Sequence, residues 1–122
     1  MALKSHTRRR MPATVKTAFD TQLQLARSTA AIDQRWTALE RAHILSQPWP
    51  VPHVRTHTAM IGLAIRQRDA REVLGQLVRV LVAGPASAVG KYPAGNTGRA
   101  RVPATRPMPI EDDLAQLLEA AR

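Results

Sequence analysis

LERAHILSQPWPVPHVRTH, residues 39–57, decides how this chain folds. Apolar residues recur at helical spacing on both sides of it, but within it Pro48, Pro50 and Pro52 remove three backbone donors in five positions, so no single helix can run through. The chain must stop, turn and start again here. Upstream, Trp36, Leu39, His43 and Ser46 share one helix face, with Asp33 read as the N-cap; downstream a new helix starts at Pro52 or His53, with Val54, His57, Ile61 and Ile65 as its stripe.

Working outward, Val15, Phe19, Gln22, Leu23 and Ala26 mark a first helix from Ala13 to about Ser28 or Thr29. Beyond the third helix, Asp69 and Glu72 have capping-box spacing and open a fourth. Its sequence, REVLGQLVRVLVA, is apolar around most of its circumference, which predicts the most enclosed element of the fold, ended by Gly84-Pro85. A Pro/Gly-rich tract then runs to Pro109 and reads as a loop wrapped over the helices. Ile110, Leu114, Leu117, Leu118 and Ala121 form one face of a short terminal helix with an acidic first turn. Segments 25–48 and 63–85 repeat the order of helix end, Asp-containing turn, helix and proline stop. The expected fold is all-α: two stacked antiparallel helical hairpins, then the long loop and the terminal helix. Its parts are a basic disordered arm over 1–12, a helical core over 13–84, the loop over 85–109 and the last helix over 110–122.

Composition agrees and narrows the chemistry. A chain of 122 residues with 44% hydrophobic content suits one domain, and 3% aromatics leaves the core to Leu, Val, Ile, Ala and Met. With no cysteine, disulfides, thiolate metal sites and cysteine nucleophiles are excluded. The net charge of +9 sits on the arms: residues 1–16 hold Lys4, Arg8, Arg9, Arg10 and Lys16, and residues 84–110 hold Lys91, Arg99, Arg101 and Arg106, with no acid in either segment. Arg outnumbers Lys by 15 to 3, a bias that a GC-rich bacterial genome explains without a nucleic-acid partner. The basic start is not followed by the apolar stretch of a secretory signal, and no window approaches a membrane span; a cytoplasmic protein is expected.

The same 39–57 stretch carries the chemistry. In antiparallel helices joined near residue 50, positions whose numbers add to about 100 lie level, and His43 with His57 meets that condition. Glu40 precedes His43 in the Glu-x-x-His spacing that metal-carrying bundles use, and His53 lies one turn before His57. Glu40, His43 and His57, with His53 as an optional ligand, therefore make the candidate metal site, suited to zinc, iron, nickel or copper. Gln76, Glu72 and Asn96 are further candidates. Glu72 is placed about 13 Å from the level of His57 at 1.5 Å per residue and reads first as a cap. AGNTG, residues 94–98, is a turn-forming tract suited to a lid over the histidines. GPASAVGKY lacks the spacing and the Ser/Thr of a phosphate loop, and no Ser-His-acid set assembles; the case for an enzyme stays open.

The order LERAHILSQ, H-x-x-x-H with MIGLA, EVLGQLVR and P-x-GNTG resembles a family of small bacterial proteins of about this length, classed as a domain of unknown function. The likeness spans residues 34–108 and implies a bacterial origin and little chemistry; the occurrence of relatives among heavy-metal resistance genes mildly favours metal handling by analogy and transfers no residue role. The leading expectation is thus a helical accessory protein for a divalent transition metal. Its rivals are a metal-free helical-hairpin module for a protein partner or a homodimer, and a non-specific nucleic-acid binder through the basic arms. No aromatic platform or recognition helix supports the last.

Overall fold

The computed structural model describes residues 10–121; most of the predicted basic arm lies outside the described residues. Five helices and no strand are present among them: α1 (Ala13–Ser28), α2 (Ile32–Ser46), α3 (Pro50–Arg66), α4 (Ala70–Ala88) and α5 (Asp112–Ala120). Helices α1 and α2 pair, α3 and α4 pair, and α2 lies against α3, which joins the two hairpins into one body. The expected architecture is the observed one.

Two apolar clusters hold it together. Phe19 and Leu23 of α1 meet Trp36, Leu39 and Ala42 of α2 and Met60, Leu63 and Ala64 of α3. At the other end Val15, Ile44, Leu45 and Trp49 enclose Leu114 of α5, flanked by Ile110, Leu117 and Leu118. Arg41 fastens α5 from outside through Glu111 and Asp113.

Helix boundaries differ from the sequence reading at four places. Helix α2 is preceded by Ala31 in extended conformation, so Asp33 sits in the first turn, where its charge suits the positive helix end. Helix α3 starts at Pro50 after an extended Trp49, because both Pro50 and Pro52 fall in the first turn, where no intrahelical N–H bond is owed. Helix α4 does not end at Gly84-Pro85 but carries Pro85 inside it and reaches Ala88. Pro85 withholds only the bond to the carbonyl of Leu81, a residue on the exposed side, and the backbone amides of Val89 and Lys91 bond the carbonyls of Pro85 and Ala86 to complete the end. At the other end Asp69 accepts a hydrogen bond from the Glu72 amide, as the capping box requires. Helix α5 is preceded by Glu111, not Pro109.

The prediction that α4 is the most enclosed helix is overturned. Glu72, Gln76, Ala83 and Ser87 are its buried residues, while Leu74, Leu77, Val78, Leu81 and Val82 face outward. The buried face of α3 is likewise His53, Thr56, His57, Met60, Leu63 and Ala64, with Ile65 exposed. Both helices turn polar side chains inward because a polar site lies between them.

Candidate metal centre

His43 comes from the last turn of α2, His53 from the first turn of α3 and His57 from its second, and all three rings are buried. The Nε2 atoms converge: His43 to His57 at 3.1 Å, His43 to His53 at 3.0 Å and His53 to His57 at 3.3 Å. They form the group of potential metal-ligating side chains found among the described residues.

The opposite ring nitrogens fix the protons. His43 Nδ1 lies 2.7 Å from the Asn96 carbonyl, which can only accept. His57 Nδ1 lies 2.6 Å from Gln76 Oε1; the amide orientation follows because Gln76 Nε2 donates to the Glu72 carboxylate and the Gly98 carbonyl, each at 2.8 Å. His53 Nδ1 lies 2.7 Å from Ser87 Oγ, and the Ser87 hydroxyl proton is directed to the Gln47 carbonyl at 2.5 Å, leaving a lone pair for the ring. Each ring therefore donates from Nδ1 and presents an unprotonated Nε2 to the other two. Three lone pairs face one another across about 3 Å, an arrangement that repels unless a cation lies among them.

Electrostatics keep the rings neutral. Burial, then the neighbouring rings, drive His43 well below the usual histidine range. His53 is pushed down to about 3 by burial and His57. Burial lowers His57 to about 4 against the opposing Gln76 hydrogen bond, with the Arg79 charge adding to the lowering. The ligand atoms are thus ready to bind a metal at neutral pH without first losing protons.

Loop residues 89–111 close the site from above. Asn96 Oδ1 accepts from the Gly98 amide, and Asn96 Nδ2 donates to the carbonyls of Pro103 and Arg106, which holds the tract folded. Gly98 lies directly against the His43 ring: at φ +84° a β-carbon there would sit 2.7 Å from Cδ2. Gly95, at φ +82°, leaves no room for a β-carbon beside the Met108 carbonyl. The expected lid is present. Arg99 latches it, with Nε 2.9 Å from Glu72 Oε1, Nη1 3.5 Å from Glu40 Oε2, and its guanidinium 3.7 Å over the Trp36 ring.

Of the sequence candidates, His43, His53 and His57 come together, and His53 is a full member of the group. Glu40 is instead engaged by Arg99 and stands outside the three-nitrogen cluster. Gln76, Glu72 and Asn96 are close, but as partners of the rings and the lid: Glu72 accepts from Gln76, Arg99 and the Ala100 amide. The hydrogen bonds hold Glu72 below the usual carboxylate range although burial opposes them. Ser87, Gln47 and Arg99 were not foreseen. Ser87 enters only because α4 continues one turn beyond Pro85.

Residues 13–118 match the family model described as "Protein of unknown function (DUF3703)". The chain belongs to that family. No curated protein and no solved structure matches it.

Proposed function

We propose that this member of the DUF3703 family binds one divalent transition-metal ion through His43 Nε2, His53 Nε2 and His57 Nε2, and serves as an accessory in metal handling. The observation that carries the reading is the convergence of three unprotonated nitrogens at 3.0–3.3 Å, each ring held by an acceptor on its far side. A tetrahedral ion with metal–nitrogen bonds of about 2.0–2.1 Å spaces its ligands by roughly 3.3–3.4 Å, so a few tenths of an ångström of expansion accommodates it and leaves one vertex for an exogenous ligand. Imidazole nitrogen suits zinc, iron, nickel and copper alike.

Three neutral rings bring no charge to offset the ion. The nearest compensation is Glu72, which reaches His57 through Gln76 and strengthens the ring's donation as the carboxylate–histidine relays of metal sites do. Glu40 adds negative charge beyond Arg99 and is assigned to the latch, not to the metal. The group that the described residues bring together consists of three imidazoles, so metal binding itself is the assigned activity.

Elemental analysis of the purified protein, with calorimetric titration of zinc, nickel and copper, tests the reading. One ion per chain is expected, lost in His43→Ala and His57→Ala with helix content retained. Protein that is isolated without metal, and whose stability does not change when any of these ions is added, would overturn it.

A further inference from the structure

The side of α4 turned away from the histidines is apolar and uncovered. Leu74, Leu77, Val78, Leu81 and Val82 are 65, 48, 62, 78 and 56% exposed. Leu74, Val78, Leu81, Pro85 and Ala88 succeed one another by alternating steps of four and three residues, the spacing with which a helix presents one continuous seam to another helix. Leu77 and Val82 widen that seam on either side. No charge interrupts it between Leu74 and Ala88: Arg79, on the same stretch, is turned away and donates to the carbonyls of Gly75 and Val102.

We infer that this face of α4 is the contact surface for a second copy of the chain, with the two α4 helices antiparallel across a twofold axis. The direction follows from charge. Arg71 is exposed at the positive end of its own helix, and the last turn of α4 has no basic residue to meet its carbonyls. Parallel helices would set two Arg71 side chains beside two positive helix ends. With the axis between Val78 and Leu81, Arg71 instead stands level with the partner's Ala88, at the negative helix end, and the arrangement is self-complementary, as an isologous interface must be.

The area fits a reversible dimer. The five residues expose on the order of 500–600 Å² on each copy, so pairing buries at most about 1,100 Å² in total, in the range of weak, transient interfaces. A membrane surface is a poorer occupant. A helix lying in lipid headgroups carries Lys or Arg along its polar edges, whereas here the one mid-helix cation is spent on the loop.

Sedimentation equilibrium of the full chain from micromolar to millimolar concentration tests the assignment, with the mass expected to rise from one chain to two. Leu81→Glu should weaken the dimer by about a hundredfold or more and Leu81→Ala by about tenfold, both with unchanged helical circular dichroism. Because the chain has no cysteine, Arg71→Cys protein mixed with Ala88→Cys protein should form an interchain disulfide that neither gives alone. A chain that stays monomeric throughout, whether or not it floats with anionic vesicles, overturns the inference. So does a dimer that Leu81→Glu leaves intact, and cross-linking of Arg71→Cys by itself would overturn the antiparallel arrangement.

Discussion

The three rings differ in how visible they were. His43 and His57 could be paired from numbering alone, because two helices hinged near residue 50 bring them level, and their Nε2 atoms stand 3.1 Å apart. His53 was harder to place: a first-turn residue points wherever the helix entry angle sends it, and that angle depended on Pro50 lying inside the helix. Glu40 has the right spacing from His43, but Arg99, distant in sequence, takes its carboxylate. Ser87 was hidden because Pro85 read as a stop. Its removal should therefore be informative. In Ser87→Ala the His53 ring loses its Ser87 partner and keeps only the Ala83 carbonyl as an acceptor, which holds the Nε2 tautomer less firmly, so metal affinity should fall about tenfold, while Glu40→Gln should stay within about threefold of the parent chain. Titration calorimetry at fixed pH separates the two, and equal losses would return Glu40 to the ligand set.

Protonation gives a second prediction at this scale. The unfolded chain takes up protons on its histidines near pH 6.5, whereas His57 in the fold does so at about 4, His53 at about 3 and His43 well below its ordinary value. Between pH 6.5 and about 4 the unfolded state binds more protons, so the stability of metal-free protein should fall as the pH drops through that window, by about 1.4 kcal/mol per pH unit for each ring that stays neutral. Glu72 acts lower down: its folded pKa lies below the ordinary 4.5, so its contribution is present above that value and disappears only on further acidification. Urea unfolding midpoints at pH 8, 6.5 and 5 measure the effect. A flat profile over this range would mean that the rings reach solvent and protonate within the fold.

At the scale of elements, the prolines, the Asp69 cap and the apolar spacing were enough to number and order the helices, because each acts through its own backbone. The orientation of α4 was not legible. A run of Leu and Val looks the same whether its partner is the core of its own chain or another copy, and only the polar residues Glu72, Gln76 and Ser87 reveal, once the site is known, which face turns inward. The α3–α4 turn shows a local departure from the usual chemistry: Arg68, at φ 56°, occupies the left-handed position where glycine is favoured. An L side chain there costs about 1–2 kcal/mol, partly offset by the greater freedom glycine gives the unfolded chain, so Arg68→Gly should stabilise the protein by about 1 kcal/mol. Thermal and urea unfolding check this at a site remote from the triad's ring contacts. A loss of stability would show that the Arg68 side chain makes a contribution larger than the backbone strain.

For the molecule as a whole, the candidate site is also a junction. Its rings stand on α2 and α3, their supporting acceptors come from α4 and from the loop, and Gly98 rests on His43. An ion bound to the three nitrogens would tie these four segments together in the folded state alone. A ligand that binds only the folded form at a hundred times its dissociation constant adds about 2.7 kcal/mol, and that increment should not be spread evenly. The loop has no helix of its own between Val89 and Glu111; Asn96, Gly98, Arg99 and Ala100 hold it beside the site, and Gln47 and Arg79 hold it further at Pro93, Gly95 and Val102. Helix α5 is secured elsewhere, by Arg41 and by the cluster around Leu114. Hydrogen exchange followed with and without zinc should therefore show amides at 95–102 and in the facing turns of α3 and α4 slowing by about tenfold or more, with the α5 amides changing least. If zinc binds and protection rises equally in α5 and the loop, the ion stabilises the fold as one cooperative unit. If the loop alone is unaffected, its hydrogen bonds to His43 and Gln76 do not couple it to the metal, and the lid does not control access to the site.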